Sequence, residues 1–130
     1  MTKPTLRPEV RWAIEAAQDK QAAEVTFLDL TGLGSFTDGF LLCTGLSTPQ
    51  VQAICDGIEE KLKAHGRTPN HCEGRAGAEW LLLDYGSFIV HVFTERLRNF
   101  YGLERLWRMA RRSDYTESLP DSSAAGGGTA

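Results

Sequence analysis

Two apolar runs, Trp80-Leu81-Leu82-Leu83 and Phe88-Ile89-Val90-His91-Val92-Phe93, flank a single corner at Asp84-Tyr85-Gly86-Ser87. Branched and aromatic residues on either side of one Gly-containing turn predict a β-hairpin. Leu81, Leu82 and Leu83 follow one another without a polar break, which predicts a central strand covered on both faces by helices. Upstream, Val10, Ala13, Ile14 and Ala17 recur at helical spacing behind Pro8 and predict a first helix over about 8–22. Glu24–Leu30 and Phe40–Thr44 read as strands, the first leaving into the loop Thr31-Gly32-Leu33-Gly34. Ser47, with Gln50 three residues on and Pro49 between, predicts a helix start. Val51, Ile54, Cys55, Ile58 and Leu62 then form one stripe that Gly66 ends.

Pro69 restricts Arg67–Glu73 to an edge strand, because it has no N–H to give a ladder. Leu97, Phe100, Tyr101, Leu103, Leu106 and Trp107 predict a last helix from Glu95 to about Arg112, with Gly102 as a point of interruption. From Ser113 the composition turns to Ser, Asp, Ala, Gly and Thr, so residues 1–112 are expected to fold and 113–130 to form a disordered tail. The order α, β, β, α, β, β, β, α implies an α/β single domain with a mixed five-stranded sheet covered by helices.

Composition adds little to this picture except by exclusion. With 42% hydrophobic and 24% charged residues over 130 positions, it is that of one soluble domain. No apolar run approaches the roughly 20 residues of a membrane span, and the N-terminus lacks the apolar stretch of a secretory signal. Three cysteines, Cys43, Cys55 and Cys72, stand far apart and predict reduced thiols in a cytoplasmic protein. A net charge of −3 disfavours a chain devoted to nucleic-acid backbone and suits a basic protein partner.

Candidate chemistry is sparse. Gly34-Ser35 followed by Asp38 is shared with nucleotidyltransferases, but the second metal-binding carboxylate is missing and the same residues make good loop chemistry. His65, His71, Cys72 and Glu73 do not form a metal set by pattern, since neighbours on a strand point to opposite faces. His91, between two valines, reads as a packed residue rather than a general base, with no nucleophile motif around it. No metal, cofactor or small-molecule substrate is therefore expected. Arg105, Arg108, Arg111 and Arg112 form a basic cluster that helix-dipole complementarity accounts for and that would also serve a secondary RNA contact. Trp80, Asp84 and Tyr85 stand out, because Trp and Tyr are the residue types that most often anchor protein interfaces.

Around these residues the chain closely resembles the ribosomal silencing factor family, also called Iojap. The matching pieces are Ser35-Phe36-Thr37-Asp38, Cys43-Thr44-Gly45-Leu46-Ser47, Val51-Gln52-Ala53-Ile54, Glu73-Gly74, Trp80 to Gly86, Val90-His91-Val92-Phe93, and Phe100-Tyr101-x-Leu103-Glu104-x-Leu106-Trp107, together covering about residues 8–108. The resemblance implies a nucleotidyltransferase-like fold without enzymatic activity. It further implies a translational repressor that binds the large ribosomal subunit through that subunit's protein number fourteen and blocks joining of the small subunit under nutrient limitation. A homodimer is implied when no ribosome is bound, and the family's contact residues carry over to Trp80 and Tyr85, with Asp84 beside them. The alternative is a small nucleotidyltransferase-like enzyme.

Overall fold

A computed structural model of the chain describes residues 6–102, 105 and 108–115, with backbone only at 100 and 101. Its elements are α1 (Pro8–Asp19), β1 (Glu24–Asp29), β2 (Gly39–Gly45), α2 (Thr48–Ala64), β3 (His71–Glu73), β4 (Trp80–Asp84), β5 (Ile89–Thr94), α3 (Glu95–Tyr101) and β6 (Arg111–Asp114). The strands form one sheet in the order β3-β4-β5-β2-β1-β6. Among the described residues only the β2–β5 pairing is parallel, and the other four are antiparallel. A parallel pair cannot be closed by a tight turn, and here the crossover carries α2, β3 and β4 between its two members.

The helix starts follow from local chemistry. Pro8 occupies the first turn of α1, where its missing N–H costs nothing. Ser47 Oγ accepts from the Gln50 N–H at 3.2 Å, as its position before the apolar stripe predicts. The Gln50 side chain takes the Leu46 N–H rather than the Ser47 N–H of a capping box: its Oε1 accepts from Leu46 N–H at 2.6 Å, and its Nε2 donates to the carbonyls of Lys20 and Gln21 at 3.1 and 2.9 Å. One side chain thus joins the start of α2 to the end of α1. All five stripe residues of α2, Val51, Ile54, Cys55, Ile58 and Leu62, are buried.

Alternation along the strands divides the core in two. On the first face Val25, Phe27, Leu41, Cys43, Leu81, Leu83, Val90 and Val92 pack with the apolar sides of α1 and α2. On the second face Leu28, Phe40, Leu42, Ile89 and Phe93 pack together, with Leu97 of α3 and Ala110 against them. Arg98 of α3 is also buried on this face. Its Nη1 donates to Thr44 Oγ1 at 2.7 Å and meets Glu24 Oε1 at 2.9 Å, while Nη2 reaches Thr26 Oγ1 at 3.3 Å. A desolvated guanidinium is tolerable only when its donors are matched, and here β1 and β2 supply the acceptors.

Four expectations change. The sheet has six strands rather than five, the sixth being β6, whose residues were expected as the end of the last helix and the start of the tail. Helix α3 ends at Gly102, the expected point of interruption, which adopts φ +58° in the left-handed region that suits a glycine after a helix, and Arg105 beyond it is again helical. The Leu81–Leu83 strand is not central, because β4 lies second from the edge and Leu82 is only half-buried. The centre belongs to β2, buried at every residue, and to β5. The folded part also runs past residue 112: Ser113 is buried, Asp114 Oδ1 accepts from Thr26 Oγ1 at 2.7 Å, and the Tyr115 N–H donates to Val25 O at 2.7 Å. The expected tail from 116 onward lies outside the described residues.

Tyr85 is the fourth change. Expected at the surface of the corner, it is 2% exposed, stacked on Phe88 with ring centroids 5.1 Å apart. The corner is closed above it by Gly86, at φ +86°, whose N–H donates to Asp84 Oδ1 at 2.8 Å. Arg67 Nη2 donates to the Tyr85 carbonyl at 2.8 Å, and its guanidinium lies 5.8 Å from the Tyr85 ring centroid. The Tyr85 hydroxyl finds no hydrogen-bond partner among the described residues.

Two outcomes follow for stability. Tyr85→Ala is expected to lose about 3–5 kcal/mol, the usual range for removing a buried aromatic ring. Tyr85→Phe, which deletes only an unmatched buried hydroxyl, should hold wild-type stability or gain about 1 kcal/mol in urea denaturation. A Phe variant as unstable as the Ala variant would show that the hydroxyl is bonded. For β6, a chain ending at Tyr115 should melt roughly 5–10 °C above one ending at Ala110 in calorimetry, since the shorter chain leaves β1 as an edge and takes away the Asp114 acceptor of the Thr26 hydroxyl.

Candidate protein-binding face

Residues at alternate positions of β4 share a side of the sheet, so Trp80, Leu82 and Asp84 point to the second face while Leu81, Leu83 and Tyr85 point to the first. The sequence-expected trio is therefore split. Trp80 and Asp84 are half-buried on one side, and Tyr85 belongs to the core on the other. Leu82 lies between Trp80 and Asp84 on the partly open side. It was missed because the three-leucine run hides the alternation, although the spacing from Trp80 to Asp84 contains it.

Cross-strand pairing fixes what surrounds these residues. Trp80 faces Phe93, Leu82 faces His91, and Asp84 faces Ile89 on β5; on β3, Glu73 faces Leu82 and His71 faces Asp84. The Trp80 indole Nε1–H donates to His91 Nδ1 at 3.2 Å, and the two rings lie 5.7 Å apart. Phe40 meets His91 edge-on at 4.8 Å. Trp80 is thus held by a hydrogen bond and by aromatic contacts on its inner side while part of its ring remains at the surface. A large amphipathic ring so fixed is suited to anchoring a partner, because little rotamer freedom is lost on binding.

Carboxylates rim this apolar patch. Asp84 uses one oxygen to close the hairpin corner. Glu73 pairs with His71 at 2.8 Å. Beyond Trp80, Glu79 accepts from Thr94 Oγ1 at 2.9 Å and from Arg96 Nε at 3.2 Å, and these bonds hold its carboxyl below the usual range. An apolar centre with an acidic rim complements a partner whose own rim is basic.

The other candidate chemistry resolves into structure. His65 stacks on Trp12 with ring centroids 3.7 Å apart, away from the His71–Glu73 pair. Among the described residues no group of three or more His, Cys, Asp or Glu side chains converges as a metal site would require. Asp38 pairs with Arg7 at 2.9 Å, and the glycines of the loop before it take positive φ, as a turn needs. Asp29 lines the same small hollow, of about 100 Å³, and its Oδ1 accepts from the Thr31 N–H at 3.0 Å. A second carboxylate therefore does lie near Asp38, and each is already engaged by the protein. Burial pushes the Cys43 and Cys55 thiols up to about 12, which leaves them protonated and unreactive at neutral pH.

His91 is not a general base. Accepting through Nδ1 requires the neutral tautomer with its proton on Nε2, and that atom is buried with no partner among the described residues. Burial lowers its pKa from 6.5 to about 4. The unfolded chain therefore takes up a proton below pH 6.5 that the folded chain refuses until about pH 4. His91 accordingly removes stability as pH falls through that window, by up to about 3 kcal/mol, and has no effect above it. Chemical denaturation at pH 7 and pH 4.5 should show a larger loss for the wild type than for His91→Gln, which cannot titrate. Equal losses would mean that His91 is charged in the folded state.

A family model described as "Ribosomal silencing factor during starvation" matches residues 3–129. The ribosomal silencing factor of Bacillus subtilis is 39% identical over 102 residues, which is 78% of this chain and 86% of that protein. A mouse protein named "Mitochondrial assembly of ribosomal large subunit protein 1" is 23% identical over 126 residues, covering 91% of this chain and 55% of the mouse one. A crystal structure of a Chromobacterium violaceum protein superposes with a TM-score of 0.75 at 28% identity, covering 95% of this chain and 98% of the other. With a mixed α/β sheet shared over nearly its whole length and a silencing-factor relative matched over most of it, this chain belongs to the ribosomal silencing factor family.

Proposed function

We propose that the chain represses translation in the cytoplasm by binding the large ribosomal subunit, through that subunit's protein number fourteen, and occluding the surface where the small subunit joins. The observation that carries this reading is the fixed, half-buried Trp80 beside Leu82 in an acidic rim. Membership of a family named for ribosomal silencing supports the ribosome as target, and the mouse relative's name points to the large subunit. Occlusion needs only a rigid contact and bulk, which a packed sheet supplies without cofactor or turnover. In the absence of ribosomes the same patch is covered by a second copy, giving a homodimer. A minor contact with ribosomal RNA through the arginines of residues 105–112 belongs to the same reading.

Trp80→Ala and Leu82→Asp test it. Losing an anchor side chain typically costs about 2–4 kcal/mol of binding, roughly thirty- to a thousand-fold in affinity. Both variants should remain folded at 20 °C by circular dichroism, yet fail to co-sediment with isolated large subunits, fail to block subunit joining, and sediment as monomers at equilibrium. Folded variants that bind large subunits like the wild type would place the contact elsewhere.

A further inference from the structure

The end of the sheet at the β4–β5 corner carries an exposed ring that stands apart from the Trp80 patch. Phe36, on the loop between β1 and β2, is 81% exposed. A single apolar residue at the surface is ordinary. Phe36 differs because the backbone that bears it is fixed. Its neighbour Thr37 is buried and donates through Oγ1 to the Gly86 carbonyl at 2.8 Å, and the Asp38 N–H donates to Ser87 O at 3.1 Å. The Thr37 N–H also donates to Ser35 Oγ at 3.4 Å, which ties the residues on either side of Phe36 across it.

These bonds place Phe36 at the far end of the row that begins at Trp80. Thr37, one residue away, reaches the Gly86 carbonyl, and the Gly86 N–H donates to Asp84 Oδ1 at 2.8 Å. Asp84 ends the row Trp80, Leu82, Asp84, and the register sets it opposite Ile89, which in turn faces Phe40. Phe40, four residues beyond Phe36, belongs to the same second face as Leu82 and Trp80. From Trp80 to Gly86 the chain advances roughly 20 Å, at about 3.3 Å per residue. An interface of ordinary size covers about 800 Å² of each partner, a patch about 32 Å across. One docked protein therefore reaches both rings.

We infer that Phe36 is a second anchor of the binding face, received by an apolar depression on the same basic-rimmed protein that covers Trp80 and Leu82. This rests on the ribosome-directed reading above and extends its contact from one end of β4 to the other. Charge fits that occupant. Asp84 lies between the two rings and Glu73 faces Leu82 from β3, while Asp38, next but one to Phe36, is neutralised by Arg7. Rigidity fits it too, because a ring on a backbone already tied to the corner loses little loop freedom on binding.

The test uses the full chain with isolated large ribosomal subunits. Phe36→Ala should keep the wild-type melting temperature, since the ring is exposed, and weaken co-sedimentation about tenfold or more. Phe36→Leu, which stays apolar, should recover most of that loss. In a second arm the photoreactive residue p-benzoylphenylalanine replaces Phe36 in one sample and the exposed Glu73 in another, and each is irradiated on large subunits. Both probes should cross-link to one and the same large-subunit protein. Wild-type affinity in Phe36→Ala overturns the inference. So does a probe at position 36 that cross-links to ribosomal RNA, to a second copy of this chain, or to a protein other than the one met from position 73. Loss of binding in Trp80→Ala with normal binding in Phe36→Ala overturns this inference alone. The reverse pattern, with Trp80→Ala normal and Phe36→Ala lost, overturns the Trp80 docking reading and confines the contact to the corner.

Discussion

The pairing on which the rest depends is the parallel ladder between β2 and β5. Six registered residues join them, from Phe40 opposite Ile89 to Gly45 opposite Thr94, and both strands are buried on both faces. Parallel neighbours oblige the chain to leave the sheet and return, and the return path places α2 on the first face and then lays β4 antiparallel against the outside of β5. Trp80 reaches His91 only because of this route. Had the hairpin been shifted by one residue, every side chain of β4 would have changed faces, burying Trp80 under α2 and leaving Leu81 and Leu83 in its place.

That dependence also explains which features could be read from the chain. The stripe of α2 was legible because its period is local and Ser47 marks its start, and both survive unchanged in the fold. Pro69 correctly placed β3 at an edge. By contrast, Arg111-Arg112-Ser113-Asp114 shows no alternation of apolar residues, since an edge strand that buries only Ser113 needs none. What holds it is backbone pairing with β1 and the Thr26–Asp114 bond, neither of which leaves a mark on hydrophobic pattern.

The candidate face was half legible for a related reason. Residue type singled out Trp80, and the strand period contained Leu82, but the side to which Tyr85 turns is decided by Phe88 and by Arg67 from a distant loop. A turn tyrosine is usually wet. Here Asp84 and Gly86 tighten the corner so that the ring folds inward, and the residue expected at the surface instead supports the strand that carries Trp80. His91 shows the same division. It is a packed residue, as its valine neighbours suggested, yet its acceptor nitrogen is what orients the indole.

The position of β6 has a consequence for the order in which the molecule is completed. Strand β1 is finished by residue 29, but its outer neighbour consists of residues 111–114, and Gln18 in α1 donates to the carbonyl of Tyr115 at 2.9 Å. While the polypeptide is being made, β1 therefore waits with one open edge until almost all of the domain has emerged. Contacts so distant in sequence close slowly, because a long loop must be ordered before they form. An open edge during that interval is the point at which two nascent copies could pair wrongly, strand to strand. Pairing of β6 thus joins the first helix and strand of the described fold to its final strand.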